Sequence, residues 1–323
     1  MLQQTQVATV IDYYKRFMKR FPTVKKLAAA DQSEVLKLWE GLGYYRRARQ
    51  LHAAAGVVVE EHGGKFPETF DEVLALPGIG RYTAGAILSI SLDQRLPILE
   101  GNTIRLFARL LAMRADPKTS ANQKVLWQFS ESIVPRNRAG DFNQALMELG
   151  SQICTPKSPS CSQCPIIRFC PTFHGRLQEQ IPAASVKVKY ENIQEAVVVV
   201  PKGSTAKRRK YLVRLCGEDE RWTGLWDFPR FELGKREAKS WLSEQVKELT
   251  GLNVVVGSAS NRIKHAVTRF RITLDVYRCE EVKGRLSSKR SETFRWVESD
   301  ELSVLPMSTT GRKIADRICA EDS

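Results

Sequence analysis

The sequence predicts a multidomain chain in which an all-α part precedes an α+β part, and three observations carry that reading. Residues 1 to 153 run as helix after helix, punctuated at Pro22, Gly41 and Gly43, Gly63 and Gly64, Pro77 to Gly80, Gly101, Pro117 and Gly140, without strand alternation. Four of the seven cysteines then fall within residues 154 to 170. From Glu195 the texture turns to β-branched and alternating runs. The division implied is a helical domain over 1–174 that includes the cysteine segment 154–170, a polar connector over 175–193, and an α+β domain over 194–320.

Taken in order, apolar residues recur from Leu2 through Val7, Val10, Ile11, Tyr14 and Phe17 to Phe21 at near-helical spacing, which places residue 1 inside an amphipathic helix with no capping residue before it. A short helix over Thr69 to Leu76 meets a Pro-Gly-x-Gly turn, and a second helix starts at Tyr82. In the second half, EAVVVVP and KYLVRLC are strands separated by the basic turn GSTAKRRK, RITLDVYR and FRWV are further strands, and one helix lies around Lys235 to Leu249.

Composition narrows the function classes. The 323 residues carry a formal charge of +14, which in a chain without an apolar run long enough for a membrane helix points to a polyanionic partner. Residues 1 to 174 hold 22 Lys and Arg against 15 Asp and Glu, and the remainder 28 against 21, so charge excludes neither half from that contact. The N-terminus lacks a basic region followed by an apolar one, so a cytoplasmic protein is expected, nucleoid-associated if bacterial. An odd cysteine total without an export signal argues for a metal site over a disulfide framework.

Two motifs carry chemistry. LPGIGRYTAGAIL, Leu76 to Leu88, reads as a helix-hairpin-helix, in which Gly78 and Gly80 let the backbone turn its amides outward and the second helix offers its N-terminus to a phosphate. Such a contact positions a protein on nucleic acid without reading sequence. In CTPKSPSCSQCPIIRFC, Cys154, Cys161, Cys164 and Cys170 are spaced C-x6-C-x2-C-x5-C. Four thiolates hold either zinc or an iron–sulfur cluster; a single close C-x2-C pair within a 17-residue span favours a 4Fe-4S cluster. Lys157 and Arg168 sit among these ligands without an acidic neighbour, which suits a loop near phosphate.

Together these motifs resemble the helix-hairpin-helix, iron–sulfur DNA glycosylases. Endonuclease III enzymes carry a nucleophilic lysine at the position of Tyr82. Tyr82 instead matches the adenine DNA glycosylase family, as do MLQQT at the start, WEGLGYYRRAR from Trp39, GNTIRL after Glu100 and ALMELGSQICTP from Ala145. The resemblance implies excision of adenine mispaired with 8-oxoguanine or guanine from double-stranded DNA, by flipping the base and hydrolysing its N-glycosidic bond, in a monomer whose two domains clasp the duplex. It places Gln4 and Thr5 near the lesion base and Leu42 and Tyr44 in a loop that wedges the duplex; Leu42 and Tyr44 also read as core residues, but the arginines 46, 47 and 49 favour a DNA loop.

The family chemistry uses an acid to protonate the leaving purine and an anion to stabilise the oxocarbenium-like sugar or trap it. The anion is an aspartate in an Asp-Gly-Asn motif; here Glu100 takes that place before Gly101 and Asn102. Its extra methylene makes Glu100 either a resited stabiliser or inert, with Tyr82 and Asn102 as supports. The resemblance places the acid, a glutamate, two residues before Met-Leu-Gln-Gln-Thr, hence upstream of Met1, and suggests a misplaced start codon within a catalytic helix. The alternative is a silent protein that binds mispairs or lesions without cutting.

In the second half, WTGLWDFPRFE resembles the segment that begins the Nudix-like C-terminal domain of that family. The Nudix glutamate cluster survives as Glu244, Gln245, Glu248 and Leu249 before Gly251, with one of three metal-binding glutamates, so pyrophosphatase activity is not expected. The family's lesion-checking Phe-Ser-His loop aligns with Val267, Thr268 and Arg269, which assigns lesion recognition to Thr268 and Arg269, framed by His265 and Phe270. Cys216, Cys279 and Cys319 read as small packing residues.

Overall fold

The computed structural model describes residues 1–3, 5–183, 189–203, 209–234, 237–287 and 293–322. Its helices are α1 (Val7–Arg20), α2 (Val24–Ala28), α3 (Gln32–Trp39), α4 (Arg46–Glu60), α5 (Phe70–Ala75), α6 (Arg81–Leu92), α7 (Gly101–Leu110), α8 (Ser120–Ile133), α9 (Ala139–Glu148) and α10 (Pro171–His174). Strands β1 (Glu191–Val199), β2 (Pro201–Lys202), β3 (Lys210–Leu215), β4 (Trp226–Asp227) and β5 (Arg230–Glu232) follow. Then come α11 (Ala238–Thr250), β6 (Asn253–Val267), β7 (Phe270–Lys283), β8 (Phe294–Glu298), α12 (Ser299–Val304) and α13 (Thr309–Asp322). Two compact units result, one of Met1–Gly56 with Val188–Ser323 and one of Val57–Lys187.

In the first unit, Val10, Phe17, Phe21, Val35, Leu36 and Trp39 bury one face of α1 and α3, joined by Leu225 from the later sequence. Residue 1 does not lie in a helix: α1 begins at Val7, after an extended Gln6 at φ −68° and ψ 144°. The carbonyls that would start an earlier helix are taken by a side chain, since those of Met1 and Gln3 accept hydrogen bonds from the Arg47 guanidinium. The apolar stripe that suggested the helix divides: Val10, Phe17 and Phe21 enter the core, whereas Leu2, Val7, Ile11 and Tyr14 are exposed.

The α+β part of this unit has a sheet ordered β5-β1-β7-β6 and a second one in which β3 pairs β2, β4 and β8. Strand β1 runs parallel to β7 and explains its continuous β-branched sequence, since both faces are covered. Val197 and Val199 face Ile314, Ala315 and Ile318 of α13, while Ala196 and Val198 share a core with Leu242 and Val246 of α11. The sequence reading lacked β6, whose second half, from Ser258, is largely exposed and polar and pairs only with β7 among the described residues. The turn GSTAKRRK falls largely outside the described residues.

The second unit is helical throughout. Leu106, Phe107, Leu126 and Leu146 form one core, and Val73, Ala84 and Leu88 a smaller one beneath the hairpin. Helices α6 and α9 cross at Gly140, where a Cβ would run into the Ser89 carbonyl. Asp93 closes α6 in the left-handed region at φ 50° and accepts the Arg138 and Gly140 amides at 3.0 and 3.1 Å, which hold its carboxyl below the usual range.

Candidate active site and metal centre

The hairpin forms as the sequence predicts. Thr69 caps α5, Leu76 is buried, Gly78 takes φ +78°, and Gly80 is the N-cap of α6, which no side chain closes. Gly80 has an ordinary φ of −105°, and a Cβ built there meets nothing within 4 Å. Neither conformation nor packing within the chain requires glycine there, and the bare backbone leaves the start of α6 open to the approach of an outside group. Gly80→Ala is therefore expected to leave the melting temperature within about 1 °C while weakening duplex DNA binding about tenfold, roughly 1.4 kcal/mol, as a calorimetric melt and a titration would show.

Two helices meet at the catalytic candidates. Glu100, extended at φ −141°, is the N-cap of α7: its Oε1 accepts the Asn102 and Thr103 amides at 2.9 and 3.0 Å, and Thr103 Oγ1 accepts the Glu100 amide at 2.8 Å. The longer side chain has thus folded back onto its own helix, where the positive end of the helix favours an anion. Its Oε2 accepts no hydrogen bond from the described residues. Tyr82, on α6, donates to Met147 Sδ at 3.3 Å, and burial together with the Glu100 charge pushes its phenol up.

Asn102 points its Oδ1 at Arg105 Nη2, 2.9 Å away. Arg105, which sequence reasoning missed, also donates to the carbonyls of Gly150 and Cys154 at 2.6 and 2.7 Å, tying the Glu-Gly-Asn turn to the start of the cysteine segment. Gly150 lies in a π-helical turn, Leu149–Ile153, and a Cβ there would come within 2.8 Å of Asn102 Cβ.

Cys154, Cys161, Cys164 and Cys170 line one apolar cavity of about 30 Å³ with Leu106, Ile166 and Phe173. Burial pushes the Cys164 thiol up. Beside them lies Arg109, 2% exposed, whose guanidinium donates to Cys154 Sγ at 3.2 Å and to the carbonyls of Thr155, Gln178 and Ile181 at 2.9–3.0 Å. Its hydrogen-bond acceptors among the described residues are this sulfur and backbone carbonyls, with no carboxylate. A buried cation needs a countercharge, and the sulfurs supply one only as thiolates, the form a metal stabilises. Among the described residues no three Cys, His, Asp or Glu side chains converge on a single ion. Lys157 is exposed on this loop.

In the first unit, Gln4 lies outside the described residues, and Thr5 stands just before α1. Of the two wedge candidates Leu42 is 7% exposed and packs with Trp39, whereas Tyr44, 53% exposed, reaches solvent. The turn is tight, with Gly41, Gly43 and Tyr44 at φ 96°, 72° and 49°. The arginines after it divide. Arg46 is exposed, whereas Arg47 turns inward and Arg49 donates to the Thr223 carbonyl at 2.7 Å.

Thr268 and Arg269 form the exposed two-residue turn between β6 and β7. Thr268 is β-branched yet sits at φ 50°, a strained placement of the kind that marks functional turns. Arg269 pairs with Glu191 at 3.2 Å. Behind the turn, both ring nitrogens of His265 are buried without a partner among the described residues, and its ring lies 6.2 Å from that of Trp222. Burial, then the Arg230 charge, lowers its pKa from the ordinary 6.5. The folded state therefore resists a proton that the unfolded chain accepts, so stability is full above about pH 6.5 and falls on acidification. Melting temperatures taken from about pH 7.5 to 5.5 should decline, and His265→Phe should flatten that decline.

Comparison with known proteins identifies the family. Residues 1–132 match the HhH-GPD superfamily of base excision DNA repair proteins, and residues 205–317 match the NUDIX domain. An adenine DNA glycosylase of Rattus norvegicus is 34% identical over 356 aligned positions, covering 97% of this chain and 69% of that protein. One from Schizosaccharomyces pombe is 31% identical, covering 97% of this chain and 77% of its own. Among solved structures, that of a thermostable thymine-DNA glycosylase superposes with a TM-score of 0.50 at 28% identity, over 54% of this chain and 80% of its own. These relatives favour the excising reading over the silent one. Matched over nearly its whole length at above 30% identity, the chain belongs to the adenine DNA glycosylase family.

Proposed function

We propose that this chain removes adenine placed opposite 8-oxoguanine or guanine in double-stranded DNA by hydrolysing the N-glycosidic bond, leaving the strand uncut. The observation that carries the reading is the Glu100 carboxylate, fixed through Oε1 at the start of α7 with Oε2 unengaged by the described residues, beside Tyr82. An anion held so is placed to stabilise an oxocarbenium-like sugar or to trap it. Tyr82 and Asn102 hold its surroundings, and no lysine occupies the hairpin position of Tyr82 to form a Schiff base.

Gly78, Gly80 and Lys157 would grip the phosphate backbone, Gln4, Thr5 and Tyr44 would face the mispair, and Thr268 with Arg269 would check the lesion. The four cysteines would hold a 4Fe-4S cluster, which when bound supplies structural order. Arg109 and Arg105 then fix the loop that carries it. The domain limits proposed are 1–174, 175–193 and 194–320, in a monomeric cytoplasmic protein; no helix among the described residues is long and apolar enough to cross a membrane.

A single-turnover assay on an adenine:8-oxoguanine duplex tests the activity, using this chain and one extended by the upstream reading frame. Alkali-dependent strand breaks and no borohydride-trapped adduct are expected. Excision by neither chain overturns the proposal, and a trapped adduct replaces it with a lyase.

A further inference from the structure

The inward turn of Arg47 has a use that its place in a run of DNA-facing arginines would not suggest. Its Nη1 donates to the Met1 carbonyl at 3.1 Å and to the Gln3 carbonyl; its Nη2 donates to Thr5 Oγ1 at 3.2 Å and to the Gly43 carbonyl at 3.5 Å. The guanidinium also lies over two rings, 5.5 Å from the centre of Trp39 and 5.3 Å from that of Tyr44. Trp39 Nε1 holds the same Gly43 carbonyl at 3.1 Å. Both terminal nitrogens thus serve acceptors of the chain itself, and the planar face supports the exposed Tyr44 ring.

We propose that Arg47 is a positioning residue which locks Thr5 and Tyr44, from two distant stretches of sequence, into one lesion-facing surface while making no contact with DNA itself. The inference rests on the proposed placement of Thr5 and Tyr44 at the mispair. Only a forked, planar cation performs both tasks: lysine keeps the charge but offers neither the fork nor the flat face. Arg46, exposed beside it, is left as the arginine free to meet a phosphate.

The test compares wild type with Arg47→Lys, Thr5→Val and the double variant. Affinity is measured for a duplex holding an uncleavable adenine analogue opposite 8-oxoguanine and for an undamaged duplex, across a salt series. R47K is expected to cut the ratio of the two affinities about tenfold while leaving the undamaged affinity and the salt slope unchanged. Because Arg47 acts through Thr5, the double variant should match R47K and not show the sum of both losses. A salt slope shallower by about one marks a phosphate contact and overturns the proposal, as do additive losses or an unchanged ratio. A wild-type ratio near one would instead sink the lesion-facing reading; hydrogen exchange at Thr5 and Tyr44 in the free protein, faster in R47K if Arg47 locks them and unchanged if it does not, then decides the positioning role alone. Should R47K fail to fold, Arg47→Gln takes its place in each measurement.

Discussion

Glu100→Gln is expected to lower the single-turnover rate of adenine excision by about 10²–10³-fold while DNA affinity stays within about threefold. Glutamine preserves length and an acceptor oxygen for the Asn102 and Thr103 amides, so the cap on α7 and the fold persist. What is lost is the negative charge, and with it the attraction for the positive character that develops on the sugar. Glu100→Asp isolates reach: the shorter acid caps a helix at least as well but withdraws its second oxygen by one methylene. A fall of about tenfold or more for aspartate would show that the chain has adjusted its site to glutamate; a glutamine variant that still excises at the wild-type rate would remove Glu100 from the chemistry.

The largest effect on stability is expected at Arg109. Arg109→Leu removes a buried guanidinium that donates to Cys154 Sγ and to several loop carbonyls, leaving those acceptors in an apolar interior. Losing one side of such a buried set costs about 3–5 kcal/mol, and the cysteine loop loses the cation that would offset the thiolates of the proposed cluster. Denaturant melts should register that loss, and iron and sulfide per chain should fall together. A variant with wild-type stability and full iron content would show that the loop is anchored without it.

The two motifs were legible because their rules are local. Turn geometry reads from Pro77-Gly78-Ile79-Gly80, and the gathering of four cysteines around one cavity reads from their close spacing. Arg105 and Arg109 were not legible, because they answer carbonyls some 45 to 70 positions away and look in sequence like ordinary helix charges. The same holds for the turn after Trp39, where Leu42 and Arg47 point inward under tertiary packing that no periodicity reports. Strand β6 escaped because a strand with one partner needs little apolar patterning, and α1 started late because a side chain outcompeted the helix for its first carbonyls.

That lone-partner strand also bears on how the protein behaves when concentrated. Among the described residues its outer margin pairs with no other strand, and such a margin would ordinarily recruit another molecule's strand and grow a fibre. Register shifts between Val255 and Asn261 warp the margin, and Arg262, locked to Asp275 at 2.6 Å, and exposed Lys264 put positive charge along it. The warp and the Lys264 charge both disfavour pairing of this margin with a second strand, so the strand that carries the turn at Thr268 keeps its far side available.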